Sequence, residues 1–207
     1  MKKQLILVAI FMVAVFSANA QDNGDIEFGV NLGLNVSNVS TIDSDVNAKS
    51  KISFNAGLSG EYYFSDRWGI KLKLIYDSKG WANGYIEGDN NNTITTDFKL
   101  DYITVPLMAN WHFGSNRNWY LNFGPYLGIL TSAKDSKLKK DHKNAFNSTD
   151  FGLAFGIGYK FDVGSNTKLF IEYDAQSGFS EIFKNNSNSS TIRNGRSSFN
   201  VGVIFNM

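Results

Sequence analysis

The stretch KLDYITVPLMANWHFGSNRNWYLNFGPYLGILT, Lys99–Thr131, reads as two strands joined by a tight turn. From Ile103 the residues Val105, Leu107, Ala109, Trp111 and Phe113 alternate with Thr104, Pro106, Met108, Asn110 and His112. After a turn at Gly114–Asn118, Trp119, Leu121, Phe123, Pro125, Leu127 and Ile129 alternate with Tyr120, Asn122, Gly124, Tyr126 and Gly128. Alternation of this kind sends successive side chains to opposite faces of a strand. Strands of about ten residues or more exceed the usual five or six and match the length that crosses a bilayer. The stretch therefore predicts a membrane-spanning hairpin.

The same period recurs on either side of it. Strand one is expected at Asp25–Ser37, strand two at Ile52–Phe64 and strand three at Trp68–Asp77. A long loop is expected over Ser78–Asp97, around Gly88-Asp89-Asn90-Asn91-Asn92. Strand four starts near Phe98, where the apolar parity changes between Tyr102 and Ile103, and that slip predicts a β-bulge there. Strand five ends near Leu130, and a lysine-rich loop spans Thr131–Thr149. Strand six is Phe151–Phe161, strand seven Leu169–Gln176 and strand eight Phe199–Phe205, with a polar loop over Ser180–Arg196. Long and short connections alternate, as in outer-membrane barrels with short periplasmic turns and longer extracellular loops. The expected fold is all-β, an eight-stranded antiparallel up-and-down transmembrane β-barrel, with both termini in the periplasm of the cell outer membrane.

Composition agrees with this. Cysteine is absent, so neither disulfides nor thiolate metal sites contribute, and only 2 prolines interrupt the chain. The net charge of +1 gives no footprint for nucleic acid. Residues 1–20, MKKQLILVAIFMVAVFSANA, combine a basic start, an apolar run and an Ala-x-Ala ending. They are expected to be a signal peptide cleaved before Gln21, leaving 21–207 as the barrel domain.

Alternation alone does not say which face meets lipid, since a soluble lipocalin-like carrier is also an eight-stranded barrel with its apolar face inside. Two patterns favour the membrane. Tyr62, Phe64, Trp68, Trp111, Phe113, Trp119, Tyr159, Phe161 and Phe205 share the apolar face and fall near the short turns, as an aromatic girdle does. The opposite face carries Glu27, Glu61, Lys71, Lys73, Asp77, Asp101, Lys160, Glu172 and Asp174, which suits a polar lumen better than a ligand cavity.

Three segments carry a resemblance. Leu100-Asp101-Tyr102-Ile103-Thr104-Val105-Pro106-Leu107, Asn122-Phe123-Gly124-Pro125-Tyr126-Leu127-Gly128 and Phe151-Gly152-Leu153-Ala154-Phe155-Gly156-Ile157-Gly158-Tyr159 resemble, in order, strand motifs of the Bacteroidetes outer-membrane β-barrel domain family, often labelled PorT-like. The resemblance implies the same barrel over essentially the whole mature chain. It also accounts for Pro106 and Pro125, which otherwise sit badly inside strands. It carries no role in secretion.

Chemistry is sparse. Hydrolysis or acyl transfer needs a nucleophile held against a base. The sole histidines are His112 and His142, and no serine–histidine–acid set falls on neighbouring strands, so no enzyme is expected. Asp43-Ser44-Asp45-Val46-Asn47 begins like a calcium loop but has Ala48 where the glycine belongs and Phe54 where the glutamate belongs. No metal or cofactor is expected. The expected partners are outer-membrane lipid and, through the loops, lipopolysaccharide or a surface protein. The basic run Lys134–Lys143 is the best candidate, although solvation alone explains such a run. The expected function is that of a monomeric structural or interaction protein. The alternatives are a narrow channel or transport and secretion accessory, and the soluble carrier.

Overall fold

The computed structural model describes residues 24–40, 48–87, 92–186 and 190–207. The expected leader and the calcium-like segment Asp43–Asn47 lie outside the described residues. Eight strands run in chain order: β1 (Ile26–Val39), β2 (Lys49–Ser65), β3 (Trp68–Glu87), β4 (Thr93–Phe113), β5 (Trp119–Asp135), β6 (Thr149–Asp162), β7 (Thr167–Gly178) and β8 (Asn194–Asn206). Each pairs antiparallel with the next. β8 closes onto β1 from Glu27↔Asn206 to Val39↔Asn194, giving a closed up-and-down barrel.

The period-two pattern sets the two faces. Leu32, Leu34 and Ile52 on the outer face are 66%, 65% and 75% exposed, while their neighbours Asn35 and Asn55 face inward and are buried. A soluble carrier hides its apolar face, whereas here that face is continuous and uncovered, so the lipocalin-like alternative fails.

Several strands run past their expected ends. Most of Ser78–Asp97 is not loop: β3 and β4 are 20 and 21 residues long and stay paired out to Glu87↔Thr93. β8 starts at Asn194, so Arg196 lies in a strand rather than a loop.

The bulge is displaced as well. β4 keeps one parity throughout, with even residues from Thr96 to His112 facing inward. The extra residue is Thr131 of β5, because Asp101 pairs with Ser132 while Tyr102 pairs with Leu130. Phe98, Leu100 and Tyr102 point into the barrel because its mouth at the long-loop end is apolar. There Val39, Trp81, Leu130 and Ala133 of the wall meet Phe146, Ile182 and Ile192 from the β5–β6 and β7–β8 loops. The two loops join through a bridge, Phe146↔Phe183. Trp81 stacks on Phe98 at 4.7 Å and turns edges to Phe146 and Phe183. Loops that read as polar and solvated thus form a cap.

Candidate functional site

The inward positions gather charge of both signs. The carboxylates Glu27, Glu61, Asp77, Asp150, Glu172 and Asp174 and the cations Lys71, Lys73, Lys79, Lys160, Lys168 and Arg196 are all buried inside the barrel. Among the described residues these two sets are six and six, so the charges that face one another across the interior balance, with buried Asp135 apart from them at the loop end.

Near the short turns, Glu27 accepts from Lys160 Nζ, from Tyr63 Oη at 2.9 Å and from Lys168 Nζ at 3.4 Å. Glu61 accepts from Asn110 Nδ2 and contacts His112 Nε2, both at 2.7 Å, with Lys160 at 3.7 Å and Lys71 at 4.0 Å. At mid-height Glu172 pairs with Lys73, takes a hydrogen bond from Asn122 Nδ2 at 2.9 Å and lies 3.8 Å from Lys71. Asp174 bridges Lys73 at 3.6 Å and Arg196. Higher still, Arg196 reaches Asp77 at 3.2 Å, and Lys79 lies 3.0 Å from Asp150 and 3.8 Å from Asp77. Beside these pairs Asn55 donates to Asn35 at 2.8 Å and to Ser198 at 2.7 Å. Tyrosine rings cover three cations, Lys71 at 4.6 Å from Tyr120, Lys79 at 4.7 Å from Tyr126 and Lys160 at 5.4 Å from Tyr63.

The pairs cross the lumen. Lys73 and Glu172 join β3 to β7, Lys160 and Glu27 join β6 to β1, Lys79 and Asp150 join β3 to β6, and Arg196 and Asp77 join β8 to β3. None of these strands are neighbours in the sheet. Small inward residues leave room for the bulky ones. A Cβ on Gly158 of β6 would lie 2.3 Å from the Tyr120 ring, so only glycine lets Tyr120 lie across the lumen.

Of the nine positions expected in the lumen, Asp101 stands elsewhere. It pairs with Ser78 on the outer parity and lies 3.2 Å from Lys99, which is itself well exposed. Reading a slip into β4 turned it inward, and β4 has none. Lys79, Asp150, Lys168 and Arg196 belong to the interior but lay in or next to expected loops and turns. Their signal was parity carried one or two steps past the last outward apolar residue, as from Lys71, Lys73 and Asp77 on to Lys79.

The nine outer aromatics share the short-turn end. Six of them touch in sequence round the rim: Trp68–Trp111 at 6.2 Å, Trp111–Phe113 at 5.0 Å, Phe113–Trp119 at 6.2 Å, Trp119–Tyr159 at 4.9 Å and Tyr159–Phe161 at 4.7 Å. Amphipathic rings of this kind suit a headgroup layer.

At the opposite end Asp135 folds the basic loop. It accepts the amides of Leu138 at 2.5 Å and Lys140 at 2.9 Å and contacts His142 Nε2 at 3.1 Å. Burial pushes its carboxyl up, but the two amides and the imidazole outweigh this and hold it at about 2. Glu181 does the same for the β7–β8 loop: burial raises it, while the amides of Phe183 and Ile192 and the Asn186 side chain bring it below the usual carboxylate range. Lys134, Lys137, Lys139, Lys140 and Lys143 remain exposed. Among the described residues no three His, Cys, Asp or Glu side chains gather as a metal site.

The profile of the family described as "Outer membrane protein beta-barrel domain" matches residues 19–184. The chain belongs to this family. It is a small outer-membrane β-barrel protein, and its uncovered apolar face meets lipid. No curated protein sequence matches it. Among solved structures it is similar to OprG of Pseudomonas aeruginosa, at 13% identity and TM-score 0.55, over 92% of this chain and 99% of that one. It is similar to AlkL, solved in lipid bilayers, at 11% identity and TM-score 0.53, over 93% and 94%. It is also similar to Neisserial surface protein A, at 18% identity and TM-score 0.51, over 86% and 96%. At such identities the likeness is one of fold.

Proposed function

We propose that this outer-membrane barrel is a sealed, monomeric structural and interaction protein that meets its partners through its long-loop end. One observation carries the reading: the lumen is bridged from wall to wall by ion pairs, and its mouth is closed by the apolar cap around Trp81 and Phe146. Eight strands enclose an interior that side chains fill, and both sets of contacts use that space. A channel needs a continuous water path through the same volume.

Eight being even, both termini lie at the short-turn end, and we place that end in the periplasm and the long loops outside the cell. Residues 1–20 act as the cleaved signal peptide. Within the family we assign the chain to the Bacteroidetes PorT-like branch on the three strand motifs. The reading is non-enzymatic: His112 is tied to Glu61 inside the barrel and His142 to Asp135 in a loop. The five exposed lysines at Lys134–Lys143 suit phosphates of lipopolysaccharide or an acidic surface protein.

The test has two steps. Outer membranes are isolated and solubilised in mild detergent, and gel mobility is compared with and without boiling. The reading expects recovery in that fraction and a mobility shift, whereas a protein that stays in solution without detergent overturns it. The folded protein is then placed in planar bilayers. No steady conductance is expected, and regular open-channel steps would establish the channel instead.

A further inference from the structure

A groove of about 570 Å³ opens on the outer wall at the long-loop end, where β7, β8 and β1 meet. Its chemistry is graded. Val36 and Phe179, 48% and 48% exposed, form the apolar end, and Ala175 and Gly195 keep the floor low. Asn38 and Arg193 form the polar end. The outward residues of β1 show the same gradient: Phe28, Val30, Leu32, Leu34 and Val36 are apolar, and Asn38 follows. The groove therefore straddles the boundary between the apolar band and the polar layer. Arg193 is exposed and lies within 4 Å of no carboxylate among the described residues. Its backbone is fixed, since its amide donates to Ser40 Oγ and its carbonyl accepts from the Ser40 amide, both at 2.9 Å. Among the described residues no acidic side chain lines the groove.

We infer that this groove is a binding site for a phosphorylated, acylated glycolipid of the outer leaflet, with an acyl chain along Val36 and Phe179 and a phosphate on Arg193. The argument for this occupant is complementarity of charge and polarity at one depth. A guanidinium recognises phosphate through a two-pronged, charge-assisted hydrogen bond. The apolar end offers the chain a surface where the barrel wall is already in lipid. The inference rests on the outer-membrane reading and on the long loops facing outward.

The test uses the purified full barrel in detergent, with native mass spectrometry to measure retention of bisphosphorylated lipid A and of its dephosphorylated form. Wild type is expected to hold the phosphorylated form about tenfold more tightly, the value of one charge-assisted contact. Arg193→Gln should erase that preference and leave the dephosphorylated form unaffected. Gly195→Val should weaken both forms. A Cβ there meets nothing closer than the Asn38 carbonyl at 3.7 Å, so the side chain fills the groove without straining the wall. Heat-dependent gel mobility confirms that both variants are folded. Equal retention of the two lipids by wild type, or no change in either variant, overturns the site. A wild-type protein that is absent from the outer-membrane fraction defeats the parent reading instead, so the two failures are distinguishable.

Discussion

Glu172→Gln tests whether the lumen is held by paired charge. Glu172 is 1% exposed and serves Lys73, Lys71 at 3.8 Å and Asn122 at 2.9 Å. Glutamine keeps the shape and an acceptor for Asn122 but leaves the interior with one cation in excess. Removing one partner of a buried pair costs about 3–5 kcal/mol, because the other charge stays desolvated. Lys73 retains Asp174 at 3.6 Å, so a loss of about 3 kcal/mol, at the low end of that range, is expected. The companion variant K73M/E172L removes both charges and should lose less than E172Q alone, since apolar replacement of a whole pair is often neutral. The assay is urea unfolding in lipid vesicles, followed by tryptophan fluorescence and gel mobility. A loss under about 1 kcal/mol for E172Q, or a double variant weaker than the single one, would refute the claim that desolvated charge is what the pair neutralises.

Other sites give further predictions. Trp81→Ala removes the centre of the cap and should cost about 3–5 kcal/mol locally; protease should then cut the β5–β6 and β7–β8 loops in a barrel whose mobility shift is unchanged. Gly158→Ala drives a methyl into the Tyr120 ring, so the heat-modifiable fraction should fall by the equivalent of about 1–3 kcal/mol, and Tyr120→Ala in the same chain should restore it. Asp135 titrates lower in the folded loop than in an unfolded chain, so its contribution is complete above about pH 4. It is lost as pH falls through about 2. Limited proteolysis of the basic loop should accordingly show Asp135→Asn loosened at pH 7, with the difference from wild type much reduced at pH 2, where the carboxyl is about half protonated.

The sequence reveals the lower barrel better than the upper. Below mid-height, polar and apolar residues keep to separate faces, so Lys71, Lys73, Lys160 and Glu172 are found by parity alone. Near the mouth both faces turn apolar. Phe98, Leu100 and Tyr102 fill the inside while Ile103 and Ile129 stay outside, and the period carries no sign of which is which. That ambiguity misplaced the bulge onto β4 and turned Asp101 inward, two errors with one cause. β3 was cut short for the opposite reason, since Ser78 and Gly80, its outward positions after Tyr76, carry no apolar side chain. The contact between Phe146 and Phe183 joins two loops far apart in the chain and has no periodic trace at all.

The cross-lumen pairs complete the account of how this barrel holds its shape. Backbone ladders tie each strand only to its two neighbours and leave the cross-section free to flatten. Lys73–Glu172, Lys160–Glu27, Lys79–Asp150 and Arg196–Asp77 instead cross the lumen between strands three or four apart, at successive heights. Each pair forms only when strands far apart in the sheet reach the same height, and a one-residue slip in any of them would send a charge into lipid. The interior charges therefore act on geometry more than on net stability. A wrong register leaves them unpaired, and in the sealed reading proposed above they also stand in the path that a channel would need.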